Sequence, residues 1–159
     1  MAAVRHLIAV VDDEESVRRA LARMLGASQF DVDVFASGQE FLDSLRTRLP
    51  DCVILDYQMP GLTGRDVQRQ LALARIRVPI IVVTAHDQPA LREQCLADGA
   101  VAYLAKPLQR ERLVGLINDA IRLRSVSLIR AALRSPTARF QLTLCHHCGA
   151  LASRAGRRA

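Results

Sequence analysis

The sequence predicts an α/β protein: one doubly wound parallel sheet with helices packed on both faces. Three observations carry that expectation. Short apolar runs alternate with helical patterns five times within the first 121 residues, the order expected of parallel strands joined by crossover helices. Runs such as Ile80-Ile81-Val82-Val83 are apolar throughout rather than at every second residue, as burial on both faces of a sheet requires. Turn formers stand at the proposed boundaries, namely Gly26, Pro50, Pro60-Gly61, Gly64, Pro79 and Gly99, where chain reversals favour them.

Taken in order, the apolar run 7–11 predicts the first strand, which stops at the four consecutive acids Asp12 to Glu15. A helical pattern over 16–25 follows and closes at Gly26. The second strand and helix are expected over 32–35 and 39–45, the third over 52–55 and 67–73, and the fourth over 79–83 and 90–97. The fifth strand spans 101–104, and a helix over 110–121 carries the apolar stripe Leu113, Leu116, Ile117, Ala120 and Ile121. That stripe continues less regularly through Leu128 and Leu133, so the last helix is expected to run toward Arg134 and stop before Pro136, since proline excludes the helical conformation from its predecessor.

A chain of 159 residues has room for one domain with a real core and an appendage, and hardly for two full domains. Half of the residues are hydrophobic, only 4% are aromatic and none is Trp, which suits an aliphatic α/β core. The run Leu7 to Val11 is far short of a signal-peptide core or a membrane span, so a cytoplasmic protein without a membrane partner is expected. Cys52 and Cys95 fall within strand-like and helix-like patterns and read as reduced, buried, small hydrophobes. Charge divides the chain sharply. All 16 acids lie in residues 1–120 beside 14 bases, whereas residues 121–159 hold eight arginines and no acid. The expected organisation is a domain over 5–122, a helical extension over 123–135 and a basic, disordered tail over 136–159.

Ligands of such sheets bind outside the carboxyl ends of the strands, where strand order reverses. Asp12-Asp13 ends the first strand here, Asp56 the third and Thr84 the fourth, while Tyr103-Leu104-Ala105 leads from the fifth to Lys106-Pro107. These groups are therefore expected on one rim. Carboxylates about 4 Å apart repel by roughly 4 kcal/mol at an effective dielectric near 20, so the rim needs a cation. Carboxylates, a carbonyl and waters make up the ligand set of Mg²⁺. Asp12 and Asp13 by themselves are equally consistent with a helix N-terminus, Asp13 acting as the cap. Lys106 is the single lysine among 22 basic residues, which suggests that a compact ammonium rather than a guanidinium is wanted there. A cis bond to Pro107 would turn that lysine back toward the acids. Thr84, with small Ala85 behind it, reads either as a simple β-former or as a donor to a phosphoryl oxygen. Tyr103 reads as a half-buried strand aromatic. No Gly-rich loop marks a nucleotide as the phosphate carrier.

Asp12-Asp13, Asp56 with Met59-Pro60-Gly61 and Gly64, Thr84-Ala85, Tyr103 and Lys106-Pro107 together resemble the receiver domain of bacterial response regulators, over residues 5 to about 122. The wording Val10-Val11-Asp12-Asp13, Leu55-Asp56-Tyr57-Gln58-Met59-Pro60-Gly61 and Thr84-Ala85-His86-Asp87 is most similar to the FixJ-type regulators. The resemblance implies a flavodoxin-like (βα)5 fold in which Asp56 accepts a phosphoryl group from a sensor histidine kinase. It implies Mg²⁺ held by Asp13, Asp56 and the backbone carbonyl of Gln58, with Asp12 acting mostly through water. Lys106 would hold the phosphoryl oxygens, Thr84 would follow them inward, and Tyr103 would be the aromatic that turns inward with Thr84. A homodimer through the fourth helix, fifth strand and fifth helix is implied by analogy. Such a protein is a phosphorylated signalling module of a two-component phosphorelay and not an enzyme.

A phosphatase that forms an aspartyl-phosphate, of the haloacid-dehalogenase type, would also place an Asp at a strand end. It generally carries a second acid two residues later, where this chain has Gln58. The other alternative is a FixJ-type DNA-binding transcription regulator. Residues 135–159 are too few to fold unaided and show no two-helix pattern, so a receiver without an output domain is expected. DNA binding by the basic tail should then be weak and non-specific. Cys145-His146-His147-Cys148 is half of a zinc site, which needs four well-placed ligands, or an incidental cluster of soft ligands in a basic tail.

Overall fold

The computed structural model describes residues 5–134. Among them lie five strands and five helices in strict alternation. The strands β1 (Leu7–Val11), β2 (Asp31–Phe35), β3 (Cys52–Asp56), β4 (Ile80–Thr84) and β5 (Ala102–Ala105) form one parallel sheet in the order β2-β1-β3-β4-β5. The helices are α1 (Glu15–Gly26), α2 (Gly38–Ser44), α3 (Gly64–Leu73), α4 (Pro89–Ala97) and α5 (Arg110–Arg134). The predicted doubly wound α/β fold is therefore the observed one.

The strand pattern explains the layering. Side chains of a strand alternate between faces, and here both faces are apolar. Ile8, Val10, Ile54, Ile81, Val83 and Leu104 pack with Leu21 and Leu25 of α1 and with Leu113 and Ile117 of α5. Val11, Val53, Leu55, Val82 and Tyr103 face Phe41 of α2, Val67 and Leu71 of α3, and Cys95 of α4. Cys52 and Cys95 are both buried, as their patterns predicted. Contacts divide the chain after Arg122, and of the unit that follows only the helical stretch to Arg134 is described. The residues 135–159, with Cys145, His146, His147 and Cys148, lie outside the described residues.

Three local expectations change. The third strand extends one residue past its apolar run 52–55, because Asp56 continues the ladder opposite Val83. Helix α3 starts three residues before its apolar pattern does. Thr63 caps it through a reciprocal box with Asp66, which satisfies N–H groups that the first turn would otherwise leave bare. Asp13 does not cap α1. Glu14 holds the cap position without a side-chain bond, and the Glu14 N–H donates instead to Asp12 Oδ1 at 2.9 Å, the two-residue reach of an Asx turn.

Candidate phosphoacceptor and metal site

The strand order reverses between β1 and β3, and that crevice holds the acids. Asp12 and Asp56 are buried, Asp13 is exposed, and one carboxylate oxygen from each lies within 4.8 Å of the others. Lys106 reaches them from the end of β5. Its Nζ donates to Asp12 Oδ2 at 2.8 Å and lies 3.3 Å from Asp56 Oδ1. The Lys106-Pro107 peptide is cis, and the Lys106 N–H donates to the Thr84 carbonyl at 2.8 Å.

Electrostatics follow from this crowding. Burial pushes the Asp56 carboxyl up to about 6; Lys106 pulls it down, while Asp12 and Asp13 push it further up. Burial alone would lower the Lys106 ammonium, yet its bond to Asp12 and the charge of Asp56 hold it above the usual lysine range. The residues fit Mg²⁺: three carboxylates offer oxygen only, as that hard cation prefers. Both oxygens of Asp12 are already engaged, by the Glu14 N–H and by Lys106, while the Asp13 carboxylate makes no hydrogen bond among the described residues.

The loops are fitted closely around Asp56. The Gly64 N–H donates to the Tyr57 carbonyl at 3.0 Å, and a Cβ at Gly64 would stand 2.6 Å from the Asp56 carbonyl oxygen. Gly61 follows Pro60 with φ at +76°, the pairing that a turn with a left-handed third residue favours. Thr84 is fully buried, and its Oγ1 accepts from the His86 N–H at 3.1 Å. The Gln58 Oε1 and His86 Nδ1 are 2.7 Å apart, linking the β3–α3 and β4–α4 loops.

Tyr103 is buried, not half-buried, in the layer under α4. Its hydroxyl lies near the Gln88 backbone and Asp87 but makes no well-formed hydrogen bond, and burial pushes the phenol up. Ala85, Lys106 and Pro107 share with Ser16, Val17, Ala20 and Met24 the wall of a mostly apolar groove of about 510 Å³. Asp12, Asp13, Asp56 and Lys106 thus converge as their strand ends predicted. Sequence reasoning missed His86 and Arg18, because neither belongs to a spacing pattern; only the tertiary contacts single them out.

Residues 8–118 match the family model of the response regulator receiver domain. The chain belongs to the response regulator receiver family. This receiver is 35% identical over 115 residues to the transcriptional regulatory protein FixJ of Bradyrhizobium diazoefficiens, covering 72% of this chain and 56% of that one. It is 39% identical over 115 residues to the response regulator MprA of Mycolicibacterium vanbaalenii, covering 72% and 50%. Among solved structures, a response regulator receiver protein from Burkholderia phymatum superposes with a TM-score of 0.66 at 44% identity, over 74% of this chain and 95% of the other. Full-length FixJ from B. japonicum gives 0.71 at 33% identity, over 76% and 59%. The receiver chain spans about half the length of these curated relatives. No helix among its described residues is long and apolar enough to cross a membrane.

Proposed function

We propose that this receiver acts in a two-component phosphorelay, accepting a phosphoryl group on Asp56 from a sensor histidine kinase. The observation that carries the reading is the buried Asp56 carboxylate with Lys106 at 3.3 Å and the acids of Asp12 and Asp13 beside it. A carboxylate oxygen of Asp56 attacks phosphorus, the P–O bond forms as the P–N bond to the kinase histidine breaks with its electron pair going to the ring nitrogen, and the histidine leaves as neutral imidazole with the proton already on its other ring nitrogen. Mg²⁺, held by Asp13, Asp56 and the Gln58 carbonyl with Asp12 through water, would neutralise the oxygens of the transferring group. Lys106 shares that load from the other side. Thr84 then donates its hydroxyl to the new phosphoryl oxygen, and the β4–α4 loop, whose His86 N–H donates to Thr84 Oγ1, moves with it.

The apolar groove between α1 and the turn after β5 suits a helix of the kinase, delivered next to Asp56. Leu96 and Val101, both exposed on α4 and the turn before β5, favour a homodimer on the α4, β5 and α5 face. The protein is a stoichiometric acceptor rather than a turnover enzyme.

The test is labelling by acetyl phosphate and by candidate histidine kinases. It should require Mg²⁺ and vanish in Asp56→Asn. Lys106→Arg should impair the response although charge is kept, because a planar fork does not replace a compact ammonium. Thr84→Ala should label nearly normally and respond weakly. Stoichiometric labelling that persists in Asp56→Asn would overturn the assignment.

A further inference from the structure

Arg18, one turn into α1, donates from a single Nη1 to two successive backbone carbonyls, Asp12 at 2.7 Å and Asp13 at 2.8 Å. In extended chain, successive carbonyls point to opposite sides. They meet on one donor only where the backbone turns, so the guanidinium gathers both carbonyls on the α1 side of the β1–α1 turn. Asp12 has further anchors: its N–H donates to the Phe35 carbonyl, and its carboxylate is held by Glu14 and Lys106. Asp13 has none. Its exposed carboxylate stands beside Asp56 without a hydrogen bond of its own, so its place depends on a backbone whose carbonyl Arg18 holds. Because Arg18 engages carbonyls and not carboxylates, it orders the acids without neutralising them, and they stay available to a cation.

We infer that Arg18 is a positioning residue for divalent-cation binding, acting through the backbone of Asp12 and Asp13 to hold the Asp13 carboxylate in the metal set. The inference rests on the proposed Mg²⁺-dependent function. Partners that orient metal ligands without touching the metal commonly alter affinity by about tenfold or more.

Mg²⁺ titration by calorimetry on the full chain tests it, with wild type, Arg18→Met, Arg18→Lys and Asp13→Asn compared. Arg18→Met should weaken Mg²⁺ binding by about tenfold. Arg18→Lys, which keeps a cation with several donors, should recover part of that loss. Labelling by acetyl phosphate should show a raised half-saturating Mg²⁺ concentration with the maximal rate retained, a split that a general loss of structure would not give. Should Arg18→Met fail to fold, Arg18→Gln, whose amide nitrogen ends two bonds short of the Arg18 Nη1, is measured and read the same way. A folded Arg18→Met or Arg18→Gln that binds Mg²⁺ within twofold of wild type, while Asp13→Asn loses it, overturns the role of Arg18 alone. Failure of the wild type to bind Mg²⁺ overturns the functional reading beneath it as well.

Discussion

Asp56 is 4% exposed and faces two other acids, and its carboxyl ionises near pH 6. In the unfolded chain the same group ionises near 3.9. Between those values the folded protein holds a proton that the unfolded chain has released, so metal-free stability falls as pH rises from 4 to 6. The loss approaches about 3 kcal/mol at neutral pH. Asp56→Asn should therefore be more stable than wild type at pH 7 in EDTA, with the difference shrinking at pH 4; urea unfolding at both values measures it. An equal difference at both pH values would show that Asp56 ionisation is not the cause. Tyr103 makes a second residue-scale case. Its buried hydroxyl lacks a well-formed bond, and burying a polar group unpaired costs about 1–3 kcal/mol. Tyr103→Phe should raise stability by about 1 kcal/mol, seen as a higher urea midpoint with unchanged slope; a lower midpoint would mean that the hydroxyl is bonded after all.

At the scale of elements, the junction of β3 and α3 is the tightest near the site. A methyl at Gly64 would meet the Asp56 carbonyl oxygen at 2.6 Å and the Tyr57 Cα at 2.9 Å, and backbone atoms cannot step aside as a flexible side chain can. Gly64→Ala should cost roughly 1–3 kcal/mol and slow acetyl phosphate labelling by displacing Asp56, whereas Gly26→Ala, where nothing lies within 4 Å, should leave the labelling rate unchanged. Equal labelling rates in the two variants would refute the steric account. This junction also shows how far sequence reasoning carries. The apolar period of α3 begins at Val67, so the period alone misses the first turn. The Thr63–Asp66 box that starts the helix is local chemistry with a sequence signature. Strand β3 was legible as an apolar run ending on Asp56, whereas the pairing that sets Asp56 opposite Val83 of β4 comes only from the fold.

At the scale of the whole molecule, the apolar face of α5 is buried through Ile121, whereas Leu123, Val126 and Leu128 of the continuing helix are exposed. Among the described residues, the two buried layers draw on none beyond Ile121. Deleting residues 136–159 should leave the thermal midpoint and the labelling of Asp56 unchanged. The same segment, whose sequence carries arginines and no acid, should confer only weak, sequence-indifferent DNA binding with steep salt dependence, as contacts to phosphates by charge do. Fluorescence anisotropy against two unrelated duplexes at several salt concentrations checks this. Sequence-specific binding that tolerates salt and disappears on deletion would restore a transcription-regulator reading.

The sequence by itself determined the fold class, the order of elements and the rim on which Asp12, Asp13, Asp56, Thr84 and Lys106 meet. Those follow from periodicity and from the rule that parallel strands present their carboxyl ends together, and both are written in local residue order. The tertiary structure decided which groups touch. It assigned Lys106 to Asp12 more closely than to Asp56, buried Tyr103 with its hydroxyl poorly satisfied, paired Gln58 with His86, and set Arg18 on two carbonyls. Such contacts join residues by where packed elements bring their side chains, at distances of an ångström or less of tolerance, and no spacing along the chain encodes that.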